Sequence, residues 1–430
     1  MTEVGLEPIS TRRERIGLRL SIMMFLQFAI RGVWMPYLTT YLIAPHANGG
    51  IGFTGGQAGW IIAVSSLGAL TAPLVAGQVA DRYLNAERAL ALLIFIAGVT
   101  SLFLARATTF HTFLVLSVVN SIAYMPTISL SNSLSFSNLD HAEKQYPVIR
   151  AFGSVGWIIA SSLFTMLWLR TGDPKTDTAR IADSLLVAGA IGIGYAIYAM
   201  LALPATPPKR DRQHPFAFAR AFVLLKHPGF LIVMLAALPI AMIHQAYSMR
   251  VSPYLRDDVH MPLSWIGPAL SLGQWLEIGF LFILGGMIKR IGYRGVLLIG
   301  CLAQCARFTI FATTHSIPLI VLALAIHGLC YAAFFAAAFL YVERVAPPDI
   351  RHSAQTVFGI MILGLGPVAA GLFNQFFDRF VQANGAQEYH QFWMAQAAAG
   401  LGASLLIAVA FPRQTKDGTA KTPRRQEEKI

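Results

Sequence analysis

The stretch Gly77-Gln-Val-Ala-Asp81-Arg82 returns in altered form as Gly285-Gly-Met-Ile-Lys289-Arg290. The two units lie 208 residues apart. Each follows a long apolar run, and more basic residues come after it: Arg88 beyond the first, Arg294 beyond the second. One basic stop after an apolar run is an ordinary feature. Its recurrence at the same place in each half of the chain predicts a structural repeat.

Composition says what kind of chain is repeated. Of 430 residues, 55% are apolar and 13% charged, against about 25% charged in soluble domains. That excludes a large soluble domain, and the high apolar content excludes disorder. The apolar residues come in runs of roughly 18 to 28 with short polar breaks, the length needed to cross the hydrocarbon of a bilayer. Twelve spans are expected, at about 18–43, 57–79, 88–106, 110–137, 146–169, 183–203, 229–255, 263–288, 295–313, 317–343, 353–377 and 390–411. The first is too long for the h-region of a cleaved signal peptide, about 7 to 15 residues, and reads as a retained span.

Lys and Arg set the orientation. Of 33, 23 fall in the N-tail, the C-tail and the loops on their side; six fall in the opposite loops, and Arg31, Arg150, Arg250 and Arg307 lie within spans. Both termini are therefore expected in the cytoplasm. The +12 net charge is absorbed by topology and contact with the lipid bilayer. No separate basic domain is left to bind nucleic acid. Cys301, Cys305 and Cys330 all sit in apolar runs and read as small buried hydrophobes. No metal site or cofactor motif is present, and no phosphate loop for an ATP-driven pump. Nothing identifies a protein partner, and an enzyme is not expected.

The polar segment 205–228, with Pro207, Pro208, Lys209, Arg210 and Arg212, divides the chain. The expected organisation is a cytoplasmic tail 1–17, a six-helix bundle 18–204, a cytoplasmic linker 205–228, a six-helix bundle 229–411 and a cytoplasmic tail 412–430. Two six-span repeats around a midplane site are the architecture of many secondary transporters. With Gly77, Asp81 and Arg82 after the second span, the chain resembles the major facilitator superfamily. That resemblance implies an all-α integral membrane fold in two pseudo-symmetric halves. It also implies a gating role for Gly77, Asp81 and Arg82 and for their counterparts Gly285 and Arg290. The copies are imperfect: Leu84 stands where the family has a glycine, and Lys289 replaces the aspartate.

An ionisable residue inside a span is a functional candidate, because burying it is costly. Polar residues recur at helical spacing: Gln27, Arg31 and Trp34 in the first span; Asn120, Tyr124, Thr127 and Ser131 in the fourth; Arg150, Ser154, Trp157 and Ser161 in the fifth. The seventh carries His244, Gln245 and Ser248, the eighth Ser271, Gln274 and Glu277, and the tenth His327 and Tyr331. The Ser/Thr stripe of the fourth span reads as helix packing. Arg307 reads as half of a structural ion pair or a cap. Glu277 stands apart as a carboxylate in the middle of a span, flanked by Leu276 and Ile278.

Several of these stretches are similar to the nucleoside:proton symporter family: Phe25-Leu-Gln-Phe28, Ala123-Tyr-Met-Pro-Thr127, Ile149-Arg150-Ala-Phe-Gly153-Ser154-Val-Gly156-Trp157, Gly273-Gln274-Trp-Leu-Glu277 and Val342-Glu343-Arg344. The resemblance covers nearly the whole chain in consistent order. It implies a nucleoside contact set of Arg150, Ser154, Trp157, Gln245, Ser248, Gln274, Glu277 and Tyr331. An aromatic ring stacks on a flat base, and Gln, Glu and Arg supply directional bonds to ribose and base edge. The family places an aspartate directly after the tenth-span aromatic, where this chain has Ala332. Proton coupling is therefore assigned to Glu277, assisted by His327. The expected function is proton-coupled nucleoside uptake by alternating access across a bacterial inner membrane. The alternative, motivated by Arg31 and Arg250, is a facilitator or symporter of a sugar or organic anion.

Overall fold

The computed structural model describes residues 9–64, 66–68, 71, 84–140, 142–207, 223–347, 351–384 and 389–412. These residues form helices and connecting turns, with no strand among them. Nine helices among them are long and apolar enough to cross a membrane. Large apolar side chains point outward from them, including Leu201, Phe282 and Val409, each at least 80% exposed. Contiguous outward apolar surface on this scale suits lipid rather than water.

The expected first span is broken. Helix α1 (Ile9–Gly32) ends before a turn through Pro36, and α2 (Leu38–Ile43) resumes beyond it. Proline has no N–H to continue the ladder. Helix α3 (Gly55–Ala63) begins at a capping box in which Thr54 and Gln57 satisfy each other's backbone N–H groups at 3.0 and 3.1 Å. Helices α4 (Ala86–Leu104), α5 (Phe110–Asn138), α6 (Ala142–Trp168), the short α7 (Pro174–Arg180) and α8 (Asp183–Ala202) follow. Helix α9 (Pro228–Asp257) opens with a proline in its first turn, where the missing N–H costs nothing.

The expected eighth and ninth spans form one helical run, α10 (Leu263–Thr313), broken at Gly292 with φ 70° and ψ 171°. A side chain is rarely tolerated in that left-handed conformation, so a glycine makes the bend. Helix α11 (Ile317–Cys330) passes through a π-turn, Tyr331–Ala336, into α12 (Ala337–Val345). Helix α13 (Arg351–Gly359) passes through a second π-turn, Ile360–Leu365, into α14 (Gly366–Asn384), and α15 (Tyr389–Ala410) ends the described chain.

Two polar contacts between neighbouring helices share one offset along the chain. Asn120 of α5 bonds Thr100 of α4 at 3.0 Å, and His327 of α11 bonds Arg307 of α10 at 2.5 Å. The corresponding positions are 207 residues apart in both cases. A second pattern concerns the contacts between residues before 207 and residues after 223. Thr40 bonds Ser252 at 2.7 Å, Ser161 and Ser162 reach Ser271 at 3.2 and 3.1 Å, and Arg256 donates to Thr178 at 3.4 Å. Arg250 of α9 pairs with Asp378 of α14 directly against Gly55 at the start of α3. These contacts lie toward the end that carries the turns at 44–54, 169–173 and 258–262.

Candidate functional site

The fifth-span candidates lie on α6, which presses unusually close to α1. A Cβ on Gly156 would strike the Phe25 backbone, and one on Gly32 would sit 2.6 Å from the Trp157 carbonyl oxygen. Absence of side chains at both glycines lets the backbones approach, as small residues do between membrane helices. The approach slides the Phe28 ring under Arg150, whose guanidinium carbon lies 4.0 Å from the ring centroid. Cation–π attraction thus aims Arg150 while leaving its N–H donors free. Arg150 makes no hydrogen bond or ion pair among the described residues, and Ser154 and Trp157 are half-buried beyond it.

A second close approach sets Glu277. A Cβ on Gly273 of α10 would lie 2.9 Å from the Leu324 carbonyl oxygen, and one on Gly328 of α11 would collide with the Glu277 backbone N. Glu277 is therefore fixed beside the turn of helix that leads into Tyr331. Its charge acts on the Tyr331 ring, and Arg150 acts on both. Glu277 and Gln274 are half-buried and make no hydrogen bond among the described residues. Tyr331 begins the π-turn, a distortion found often at functional sites.

On α9, Gln245 is half-buried and unbonded among the described residues, whereas Ser248 donates back to the His244 carbonyl at 3.1 Å. The His244 ring stacks on His327 at 5.1 Å and lies 6.2 Å from Tyr331. His327 faces inward, to Arg307. That arginine is fully buried, donates to Gln304 at 2.9 Å, and lies between the Tyr247 and Phe308 rings at 4.2 and 4.5 Å. The expected ion pair or cap for Arg307 is thus replaced: its partners among the described residues are an imidazole, an amide and two rings.

Arg250 also departs from expectation. Its pairing with Asp378, and a 2.8 Å bond to Asn374, neutralise it toward the end that carries the turns at 44–54 and 258–262. The fourth-span stripe packs as expected. Gln27 donates to Thr127 at 2.8 Å and Ser131 donates to Gln27 at 3.2 Å. Gly285 and Arg290 are exposed, distant from these groups along α10. Gly77, Asp81 and Arg82 lie outside the described residues. The three cysteines are free, two of them buried. Phe28 and Arg307 were not expected in the site's framework, whereas His244 was among the polar candidates of the seventh span. The Gly153/Gly156 pair flanking the Arg150 face was the available signal for a close neighbour such as Phe28.

The candidate charged, amide and aromatic groups are carried by α6, α9, α10 and α11, on the stretches similar to one family. The model of that family, described as nucleoside H+ symporter, matches residues 15–416. The chain belongs to the nucleoside H+ symporter family. Within reach of this family member is the putative nucleoside transporter YegT of Escherichia coli (strain K12), 30% identical over 357 residues, 81% of each chain. The xanthosine permease of the same organism is 29% identical over 415 residues, 92% of this chain and 95% of that one. A crystal structure of nucleoside transporter NupG, in a mutant form, superposes with a TM-score of 0.81 at 24% identity, covering 92% of this chain and all of that one. The fold of this symporter is therefore that of a multi-pass, all-helical major facilitator.

Proposed function

We propose that this chain is a proton-coupled nucleoside importer in which Arg150, Ser154 and Trp157 bind the substrate from one half and Gln245, Ser248, Gln274, Glu277 and Tyr331 from the other. The observation that carries the reading is the juxtaposition of Arg150, Glu277 and Tyr331, each held by its helix neighbours and none with a hydrogen bond among the described residues. A nucleoside supplies what this set lacks: a flat base for the rings and hydroxyls for the carboxylate and amides. The relatives named for nucleosides and xanthosine support the substrate class.

In this reading the chain has twelve spans in two six-helix halves, with both termini on the cytoplasmic side of a bacterial inner membrane. Hydrogen bonds between the halves then close the outer face, so the structure is an outward-closed state of the transport cycle. Gly77, Asp81, Arg82, Gly285 and Arg290 gate the opposite face. Glu277 exchanges the coupled proton. An arginine only donates hydrogen bonds, so Nδ1 of His327 accepts from Arg307 and that ring is neutral, with its proton on Nε2. His327 therefore assists by orientation rather than by charge.

A second reading, an uncoupled facilitator, is favoured by Ala332 at the place of the family's aspartate. Counterflow of a nucleoside panel in proteoliposomes, with and without an imposed proton gradient, separates the two. Coupled import predicts accumulation above equilibrium only with the gradient. Exchange without accumulation identifies the facilitator, and no exchange of any nucleoside rejects both.

A further inference from the structure

Arg31 is a second cation near the substrate residues, and its surroundings differ from those of every other arginine within a span. Arg250 has Asp378, Arg150 acts on Glu277, and Arg307 is enclosed by rings, His327 and Gln304. Arg31 has one hydrogen bond, a long donation of 3.6 Å to the Met125 thioether. Its guanidinium lies 5.9 and 5.5 Å from the Trp34 and Tyr124 ring centroids, and no carboxylate among the described residues meets it. Its Nε is buried without a partner.

The Arg31 side chain borders a cavity of about 60 Å³ lined in part by Arg31, Trp34, Asn120, Ser121, Tyr124 and Met125. The Ser121 Oγ, on the same wall, is also buried without a partner. A buried cation with unused donors, a second unused polar atom and a space lined by both residues form a receptor for a small anionic group. Helix α1 brings this space near the substrate residues, since Phe28, one helical turn before Arg31, lies under Arg150. Arg150 has the Glu277 carboxylate to act on, whereas Arg31 meets none among the described residues, leaving an excess of positive charge. An uncompensated charge at this depth is expensive.

We propose that the space beside Arg31 receives an ionised group carried by the substrate, so that the preferred cargo is an acidic nucleoside. This rests on the nucleoside reading above and narrows it. The occupant is a nucleoside bearing a negative charge at neutral pH, on an acidic oxopurine base or a carboxylated pyrimidine. Arg31 acts as a specificity residue by supplying charge-assisted hydrogen bonds that a neutral nucleoside cannot use.

The test uses purified full-length protein and two matched pairs, xanthosine with inosine and orotidine with uridine, in calorimetry at neutral pH. The acidic member of at least one pair is expected to bind about tenfold more tightly, the effect of one charge-assisted hydrogen bond. Arg31→Lys is expected to keep a preference and Arg31→Gln to abolish it. Equal affinities within both pairs in the wild-type protein overturn the proposal while leaving nucleoside transport intact. No binding of any of the four overturns the reading beneath it. A repeat with chloride replaced by gluconate covers the other source of an anion. If chloride tightens inosine and uridine binding and the acidic members gain nothing, the space takes a free inorganic ion and the proposal fails.

Discussion

Nδ1 of His327 lies 2.5 Å from a terminal nitrogen of Arg307, deep in the bundle and 20 residues away in sequence. Removing the acceptor leaves a buried guanidinium donor unsatisfied, which costs about 1 to 3 kcal/mol. His327→Leu is therefore expected to destabilise the protein more than the double variant with Arg307→Leu, which removes the charge as well. Thermal unfolding in detergent checks the order, and a double variant less stable than the single one contradicts it.

Phe28 has no polar group to offer a substrate, yet it lies beneath Arg150. Phe28→Leu keeps an apolar side chain there but removes the ring face. A loss of about 0.5 to 2 kcal/mol in nucleoside binding is expected, the usual range for a cation–π contact. Calorimetry measures it. An unchanged affinity means that Arg150 is held by something other than the ring.

Glu277→Gln retains the shape and an acceptor but cannot ionise. Gradient-driven accumulation should vanish while counterflow exchange persists, because exchange moves no net proton. Accumulation equal to wild type would show that the coupling group is elsewhere.

At the closed end, Asp378 neutralises Arg250 beside Gly55. Asp378→Asn leaves that arginine charged without its counter-ion and weakens the closure. In a background lacking Cys301, Cys305 and Cys330, Ser271→Cys should react about tenfold faster with an impermeant thiol reagent added from outside, corresponding to a shift of about 1.4 kcal/mol. An unchanged rate removes the pair from the gate.

The exposed turn before α7 carries a pH signature of its own. The Thr176 hydroxyl and backbone N–H, with the Lys175 N–H, hold the Asp173 carboxyl below its ordinary range. A depressed folded value means the contribution is complete above the unfolded aspartate value near about 3.9. It is lost as pH falls through the depressed value. Hydrogen-exchange protection of 174–180 should therefore hold down to about pH 5 and fall below about pH 4. Asp173→Asn should lower it at neutral pH and remove the pH dependence.

The membrane character and the candidate residues were legible because hydrocarbon imposes length on apolar runs and makes each interior charge conspicuous. Glu277 and Arg150 could be picked out by residue type alone. Partnerships could not. Arg250 looked like a free cation because Asp378 is 128 residues distant and fell just past the expected end of its span. Arg307 called for a carboxylate by analogy with other buried arginines, whereas the fold supplied an imidazole and two ring faces. The break at Pro36 was hidden within an apolar run, since hydropathy records burial in lipid and is blind to backbone direction, whereas the bend at Gly292 falls in the expected break between the eighth and ninth spans.

The two glycine contacts that set the site have a mechanical consequence. Because Gly156 locks α6 to α1 and Gly328 locks α11 to α10, Phe28 and Arg150 travel as one jaw, Glu277 and Tyr331 as the other. Neither jaw deforms easily, so the adjustable coordinate is the gap between the arginine and the carboxylate. With Glu277 carrying the coupled proton as proposed, their attraction would behave as a spring across that gap, drawn tight while Glu277 is ionised and slack once it takes a proton. A transporter built this way converts protonation into a change of grip without having to reshape either surface that touches the cargo.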